Sequence, residues 1–195
     1  IFNKAKKLST IINDILRASE MDTEEFSLLP EGIKPVQPED IINEVYQDLE
    51  PEAKAKGLEL EIEKPKKPVA KILVDSDFLE QAIYNLVDNA IKYTAKGKVK
   101  IILSQEQDRI IIKIADNGIG IPLADQKKMF DKFSRAKNAV NMYADGSGLG
   151  LFIVKKIASS AVFSYISEIL ANKRAMLKDG TIDAVSYTHL TLPTK

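Results

Sequence analysis

Between Leu79 and Ile114 the apolar residues change their spacing, and this change limits what the chain can fold into more than any other feature. Leu79, Ala82, Ile83, Leu86, Val87, Ala90 and Ile91 recur at the period of about 3.6 that marks one face of a helix. Val99, Ile101 and Leu103 then alternate with Lys98, Lys100 and Ser104, and Ile110, Ile112 and Ile114 alternate with Arg109 and Lys113. Alternation of this kind marks half-buried strands, so the two runs, joined by Gln105 to Asp108, read as a hairpin. Ile102 and Ile111 interrupt the polar side, which suggests that this second face is partly covered. Upstream, Ile41, Ile42, Val45, Tyr46 and Leu49 predict a helix over about residues 39–56, stopped by Gly57 and open to a kink at Pro51. Leu58, Leu60 and Ile62 alternate as a further strand.

The polar residues near these elements are unusual. Asn85, Asn89 and Lys92 share roughly 60° of arc opposite the apolar stripe, at about 100° per residue. Asparagine is a mediocre helix former, so two of them one turn apart invite a reason beyond local stability. Either the face is simply solvated, or it meets a ligand. For a ligand, the Asn89 carbonyl oxygen suits a hard cation such as Mg²⁺ and Lys92 suits phosphate charge. Asp116 follows the second hairpin strand and opens the string DNGIGI, residues 116–121. A partly buried carboxylate needs donors, and an adenine amine would be one; Gly118 and Gly120 would let the backbone pass close to a flat ring. An ordinary Asp-Asn-Gly turn carries the same residues. The string GSGLGL, residues 146–151, opens a helix whose N–H groups and positive end would face an anion such as a triphosphate. It fits neither the P-loop nor the dinucleotide-binding fingerprint, and glycines before a helix also serve as punctuation.

Taken in order, NLVDNAIKY (residues 85–93), DNGIGI and GSGLGL resemble the N, G1 and G2 boxes of the histidine kinase ATP-binding domain. Met129, Phe130, Asp131, Lys132 and Phe133, followed by Arg135, resemble that family's F box inside a mobile lid at about residues 122–145. The likeness covers residues 36–158 well. It implies the α/β two-layer sandwich of the GHKL (Bergerat) ATPases: a mixed, mainly antiparallel sheet covered on one face by helices that include residues 76–93 and 149–158. It also implies ATP as substrate and Mg²⁺ as cofactor, with the nucleotide between the helix layer and the lid. On that resemblance Asp116 takes the adenine amine, and Gly118, Gly120 and Ile121 shape the base pocket. Asn85 and Asn89 face the phosphates, with Asn89 the metal ligand, while Lys92, Tyr93, Lys132 and Arg135 contact or orient them. Gly146, Ser147, Gly148, Leu149, Gly150 and Leu151 supply N–H donors.

The rest of the chain is read around this domain, taken as residues 39–158. Leu8, Ile11, Ile12, Ile15 and Leu16 recur at helix spacing, and residues 1–26 resemble the end of the second helix of the dimerisation and phosphoacceptor hairpin. A core helix of a single domain would show the same stripe. Residues 27–38 read as a linker, with Pro30, Gly32, Pro35 and Pro38 stopping regular structure. The resemblance implies three partners: a response regulator receiver domain, the phosphoacceptor hairpin, and a second copy of the parent protein, whose four-helix bundle takes two helices from each chain. With 28 basic and 28 acidic side chains, nothing points to nucleic acid. There is no cysteine for disulfide or thiol chemistry, and no apolar stretch of membrane-spanning length. We therefore expect a cytoplasmic piece, with any membrane anchor of the parent protein outside this chain.

Two departures from the family pattern carry expectations of their own. The family transfers the γ-phosphoryl group of ATP to an imidazole on the first dimerisation helix, usually within a His-Glu or His-Asp pair. The single histidine here, His189, has no acidic neighbour and lies in the C-terminal tail, so the acceptor is expected outside this chain. The chain should bind ATP and Mg²⁺ without labelling itself. Beyond residue 158 the family continues into two closing strands, whereas Val162, Tyr165, Ile166, Ile169 and Leu170 suggest another amphipathic helix. Residues 185–195, VSYTHLTLPTK, resemble a translation of the adapter used in transposon-based sequencing libraries. The expectation is therefore a gene truncated at both ends, a divergent join over residues 159–184, and a sheet whose last strands are lost, leaving an unpaired edge. Two other functions share the motifs. One is a different GHKL ATPase that hydrolyses ATP, for which Asp88 is the nearest carboxylate to act as base; the other is a nucleotide-binding module without transfer activity.

Overall fold

The computed structural model describes residues 32–106, 109–144 and 146–159, positions 11, 12, 14–16, 18, 19 and 21, and the strand residues 175–176, 182–183 and 186–193. Along the chain these give β1 (Ile33–Val36), α1 (Pro38–Ala55), β2 (Glu59–Glu63), β3 (Ile72–Asp75), α2 (Ser76–Tyr93), β4 (Lys98–Glu106) and β5 (Arg109–Asp116). There follow α3 (Leu123–Gln126), α4 (Lys137–Met142), α5 (Gly150–Ser159), β6 (Ala175–Met176), β7 (Ile182–Asp183) and β8 (Ser186–Pro193).

The change of period is realised as predicted. Asp75 caps α2, its Oδ1 accepting from the N–H groups of Asp77 at 3.0 Å and Phe78 at 3.4 Å, which satisfies two of the orphan donors at the helix start. All seven apolar residues of the predicted stripe are buried. The β4–β5 hairpin is antiparallel, with Ile101 opposite Ile114 and Leu103 opposite Ile112. Val99, Ile101, Leu103, Ile110, Ile112 and Ile114 are all buried on one face. Ile102 and Ile111 are half-buried on the other, as their break in the polar pattern suggested. The main sheet runs β2-β4-β5-β8, parallel between β2 and β4 and antiparallel elsewhere. Helices α1 and α5 pack on α2, and together their apolar faces form one core with the sheet.

Helix α1 starts one residue earlier than the periodicity suggested, with Pro38 in its first turn, where a missing N–H costs nothing and the fixed φ suits a helix. It continues through Pro51 to Ala55. Lys56 follows it, and its ammonium donates to the carbonyls of Ile91 at 2.6 Å and Lys92 at 3.0 Å, capping the end of α2. Residues 33–36 correct the linker expectation: they form β1 and pair antiparallel with β3, Ile33 opposite Asp75 and Val36 opposite Ile72. Proline stops a helix, but at an edge strand it withholds only a donor that nothing needs, so Pro35 is tolerated there.

The unfinished sheet is the second correction. Residues 186–193, within the stretch that resembles an adapter translation, form β8 against β5 and cover the edge expected to be unpaired, with Ser186 opposite Asp116, Leu190 opposite Ile112 and Pro193 opposite Arg109. The physical reason lies in the segment's composition. Ser-Tyr-Thr-His-Leu-Thr-Leu is rich in residues that favour pleated backbone, and the open edge of β5 offers a row of unpaired N–H and C=O groups that such a segment can satisfy. His189 falls in this strand, opposite Lys113. Between α5 and β8 the short strands β6 and β7 pair antiparallel. The amphipathic helix expected around Val162, Tyr165, Ile166, Ile169 and Leu170 lies outside the described residues.

At the N-terminal end, positions 11, 12, 14–16, 18 and 19 are helical. Ala18 and Met21 join the core, whereas Ile12, Ile15 and Leu16 are 47%, 46% and 56% exposed. Most of the described apolar stripe is therefore not consumed by this chain's own core. Leu8 lies outside the described residues.

Candidate functional site

An open cleft lies between the polar face of α2, the end of β5 and the segment from Pro122 to α5, here called the lid. Its floor is built by α2. Because the apolar stripe faces the core, Asn85, Asp88, Asn89 and Lys92 turn towards the cleft, and Tyr93 completes the row. The head of α5 meets this face: a Cβ added to Gly150 would lie 3.5 Å from Asn89 Nδ2 and 3.6 Å from Asn85 Oδ1. Asn85 Nδ2 is buried with no hydrogen-bond partner among the described residues. A buried amide left unpaired is costly, so such a donor is placed to be used by something that enters the cleft.

Lys92 Nζ sits 2.5 Å from Asp88 Oδ2, one turn away, and 5.5 Å from the centre of the Tyr143 ring in the lid. Burial pulls its pKa down, but the charge and hydrogen bond of Asp88, helped by Tyr143 and Glu52, outweigh it and hold the ammonium above its ordinary value. Lys92 therefore stays charged.

Asp116 ends β5 at the opposite side of the cleft. The turn after it is tied to α2, since Ile119 N–H donates to the Tyr93 carbonyl at 3.1 Å, while Gly118 N–H donates to Asp116 Oδ1 at 2.8 Å. Gly118 has no room for a side chain: a Cβ would stand 2.6 Å from the Tyr93 carbonyl oxygen and 2.7 Å from Asp116 Oδ1. Burial raises the Asp116 pKa from 3.8 to about 6, against the lowering by the Gly118 N–H. Beside this turn Thr94 is fully buried, and its hydroxyl finds no partner among the described residues.

The lid is held to the rim by side-chain amides. Gln126 donates to the Ile121 carbonyl at 3.1 Å and Asn138 to the Gly120 carbonyl at 3.0 Å. Arg135 donates to the carbonyls of Ala144, at 2.7 Å, and Tyr143, while its Nε is buried without a partner among the described residues. Gly148 takes φ +70° with its Cα against the lid backbone: an added Cβ would lie 2.8 Å from Phe133 C.

The cleft gathers Asn85, Asn89, Lys92, Tyr93, Asp116, Gly120, Ile121, Arg135, Gly146, Ser147, Gly148, Gly150 and Leu151 from the residues singled out in the sequence. Three others lie off its lining. Gly118 shapes the turn behind Asp116. Lys132 lies 5.2 Å from the centre of the Phe152 ring. Leu149 is fully buried in the core, and its N–H donates to Ser147 Oγ at 3.3 Å. The cleft adds residues that motif reading did not place there, among them Asp14, Asp88, Asp125, Met129, Ser134 and Ala139. Met129, 7% exposed, belongs to the quoted F-box string and could have been found from its apolar character alone. No sequence signal marks Asp14, which comes from far along the chain.

Known proteins share both sequence and shape with this chain. Residues 74–186 match the family model for histidine kinase-, DNA gyrase B-, and HSP90-like ATPases. The signal transduction histidine-protein kinase BarA of Escherichia coli strain K12 is 35% identical over 164 residues, covering 82% of this chain and 18% of BarA. The chain thus spans less than a fifth of the length of that relative. Full-length ShkA, solved in complex with AMPPNP, superposes with a TM-score of 0.73 at 24% identity, covering 95% of this chain and 35% of ShkA. Histidine kinase ThkA, solved in complex with the response regulator protein TrrA, superposes with a TM-score of 0.66 at 20% identity, covering all of this chain and 49% of ThkA. With the α2 carboxamide face, the Asp116 turn and the glycine-headed α5 on one cleft, and with these matches, the chain belongs to the family of histidine kinase-, DNA gyrase B-, and HSP90-like ATPases.

Proposed function

We propose that this chain is the ATP-binding catalytic domain of a sensor histidine kinase, which presents the γ-phosphoryl group of ATP to a histidine on the phosphoacceptor hairpin of its parent protein. The observation that carries the reading is the half-buried Asp116 carboxylate at one side of a cleft whose other side combines Asn85, Asn89, the charged Lys92 and the N–H-rich head of α5. Asp116 offers an acceptor to the exocyclic amine of adenine, and Gly120 and Ile121 bound the base. Lys92 neutralises phosphate charge, and Gly146, Ser147, Gly148, Gly150 and Leu151 bring backbone donors and the positive end of α5 to the same place. Transfer forms a bond from phosphorus to an imidazole nitrogen and breaks the bond to the β-phosphate oxygen, releasing ADP; the domain's part is positioning and charge neutralisation.

A divalent cation fits this donor set. Among the described residues no group of three or more His, Cys, Asp or Glu side chains is placed to hold a metal, so the Asn89 carbonyl oxygen, phosphate oxygens and water would make the shell. Bound there, Mg²⁺ would supply charge neutralisation on the phosphates. A hydrolytic GHKL ATPase needs a free general base, and Asp88 is instead paired with Lys92. The exposed Ile12, Ile15 and Leu16 suit a dimerisation helix completed by residues of a parent homodimer, and the ThkA complex with TrrA supports a receiver domain as partner. No helix among the described residues is long and apolar enough to cross a membrane.

Titration of a fluorescent ATP analogue, with and without Mg²⁺, tests the reading. Saturable, metal-strengthened binding that is lost in Asp116→Asn is expected. Equal affinity in that variant, or steady phosphate release with no histidine acceptor present, would overturn it.

A further inference from the structure

A hydrogen bond joins the N-terminal helical segment to the loop before α5. Ser147 Oγ donates to Asp14 Oδ2 at 3.0 Å, and the same oxygen accepts the Leu149 N–H at 3.3 Å. Asp14 also lines the cleft, alongside Gly146, Ser147 and Gly148. A carboxylate therefore sits where the helix end and its serine are built to receive anionic oxygens. The segment that carries it is fixed to the core lower down by Ala18 and Met21, while Ile12, Ile15 and Leu16 on either side of Asp14 are exposed.

We infer that Asp14 is an internal stand-in for nucleotide phosphate, a latch that holds the N-terminal segment to the Ser147 loop until a polyphosphate displaces it. This rests on the ATP-site reading above and adds regulation to it. A triphosphate entering the cleft brings several negative charges next to the Asp14 carboxylate and competes for the same serine and helix end, so the two anions exclude one another. Displacement frees the segment near Asp14 while Ala18 and Met21 keep its far end anchored. Nucleotide occupancy is in this way converted into a change of position of the segment relative to the domain, and any signal that shifts the segment changes nucleotide affinity by the same factor.

The test uses the whole chain and AMPPNP with Mg²⁺. Asp14→Asn keeps the shape and removes the charge; Asp14→Ala removes both. Each should bind AMPPNP roughly three- to tenfold more tightly than the parent chain, the range set by losing one charge-assisted hydrogen bond and one repulsion at a partly exposed site. The chain has no cysteine, so nitroxide labels at Ile15→Cys and Leu73→Cys, both exposed, report the position of the segment directly. AMPPNP should shift their separation in the Asp14-containing chain, and Asp14→Ala should show the shifted separation before any nucleotide is added. Unchanged affinity in both variants, or an unchanged separation in Asp14→Ala without nucleotide, would overturn the latch. Absence of binding in all three proteins would instead overturn the ATP-site reading, and the nucleotide-free label distance would still report on the bond between Asp14 and Ser147.

Discussion

Replacing Asp116 by Asn should stabilise the nucleotide-free chain while destroying its ligand site. Burial moves the Asp116 pKa from 3.8 to about 6, so near neutrality the folded chain carries an ionised carboxylate that is less well solvated than in the unfolded chain. At about 1.4 kcal/mol per pKa unit, holding that charge costs the native state up to about 3 kcal/mol near neutral pH. The sign follows from proton binding: between the two pKa values the folded chain holds more protons than the unfolded one, so stability falls as pH rises through this window and the cost is complete above about 6. Asparagine has no charge to desolvate, and its Oδ1 can keep the bond from Gly118 N–H. Urea unfolding of both proteins, at about pH 7 and about pH 4, measures this. The variant should be the more stable by up to about 3 kcal/mol at the higher pH, and the gap should nearly close at the lower one, where Asp116 is already neutral. A variant that is less stable than the parent near neutrality, or a gap that does not depend on pH, would refute the claim that a buried charge is stored at this site for the ligand.

The same group governs nucleotide binding in the opposite sense, because only the ionised carboxylate is purely an acceptor for an adenine amine. Affinity for an ATP analogue should weaken as pH falls through about 6, and binding isotherms that are flat across that range would contradict the role given to Asp116. Gly148→Ala puts a Cβ 2.8 Å from Phe133 C at φ +70°, so it should lower stability by about 1–3 kcal/mol and loosen the lid, read as a lower melting temperature with weaker nucleotide binding; an unchanged melt would show that the loop relaxes freely. Removing residues 186–195 uncovers the edge of β5, so the shortened chain should associate at concentrations where the full chain does not, as light scattering would reveal.

The helices and strands that position the site were legible because each obeys one period. The stripe from Leu79 to Ile91 and the alternation around Ile101 and Ile112 each bury one face, and burial reads directly in sequence. The site was legible for a related reason: Asn85 inside α2, Asp116 at the end of β5 and Gly148 before α5 are poor choices for regular structure, so their presence needed another cause. What was missed involves pairing between distant segments. Pro35 stood against β1, yet an edge strand does not need the donor proline lacks. The pairing of residues 186–193 was missed because the open edge of β5, which decides whether they become a strand, cannot be seen from the tail itself. Asp14 lies far from Ser147 along the chain, and no local pattern reports a contact of that range.

The parallel pairing of β2 with β4 decides which part of the cleft can move. Parallel neighbours cannot be joined by a tight turn, so the chain must leave the sheet after Glu63 and return at Lys98, and α2 lies inside that excursion. The helix that carries Asn85, Asn89 and Lys92 is therefore held between β3, of the small β1–β3 sheet, and β4, of the main sheet, and it packs against α1 and α5. The lid has no such clamp and rests on the rim through a few side-chain amides. One wall of the cleft is thus built into the sheet and the helix layer, whereas the other is attached through side-chain bonds to loop carbonyls and is the side a bound nucleotide can reshape at least cost.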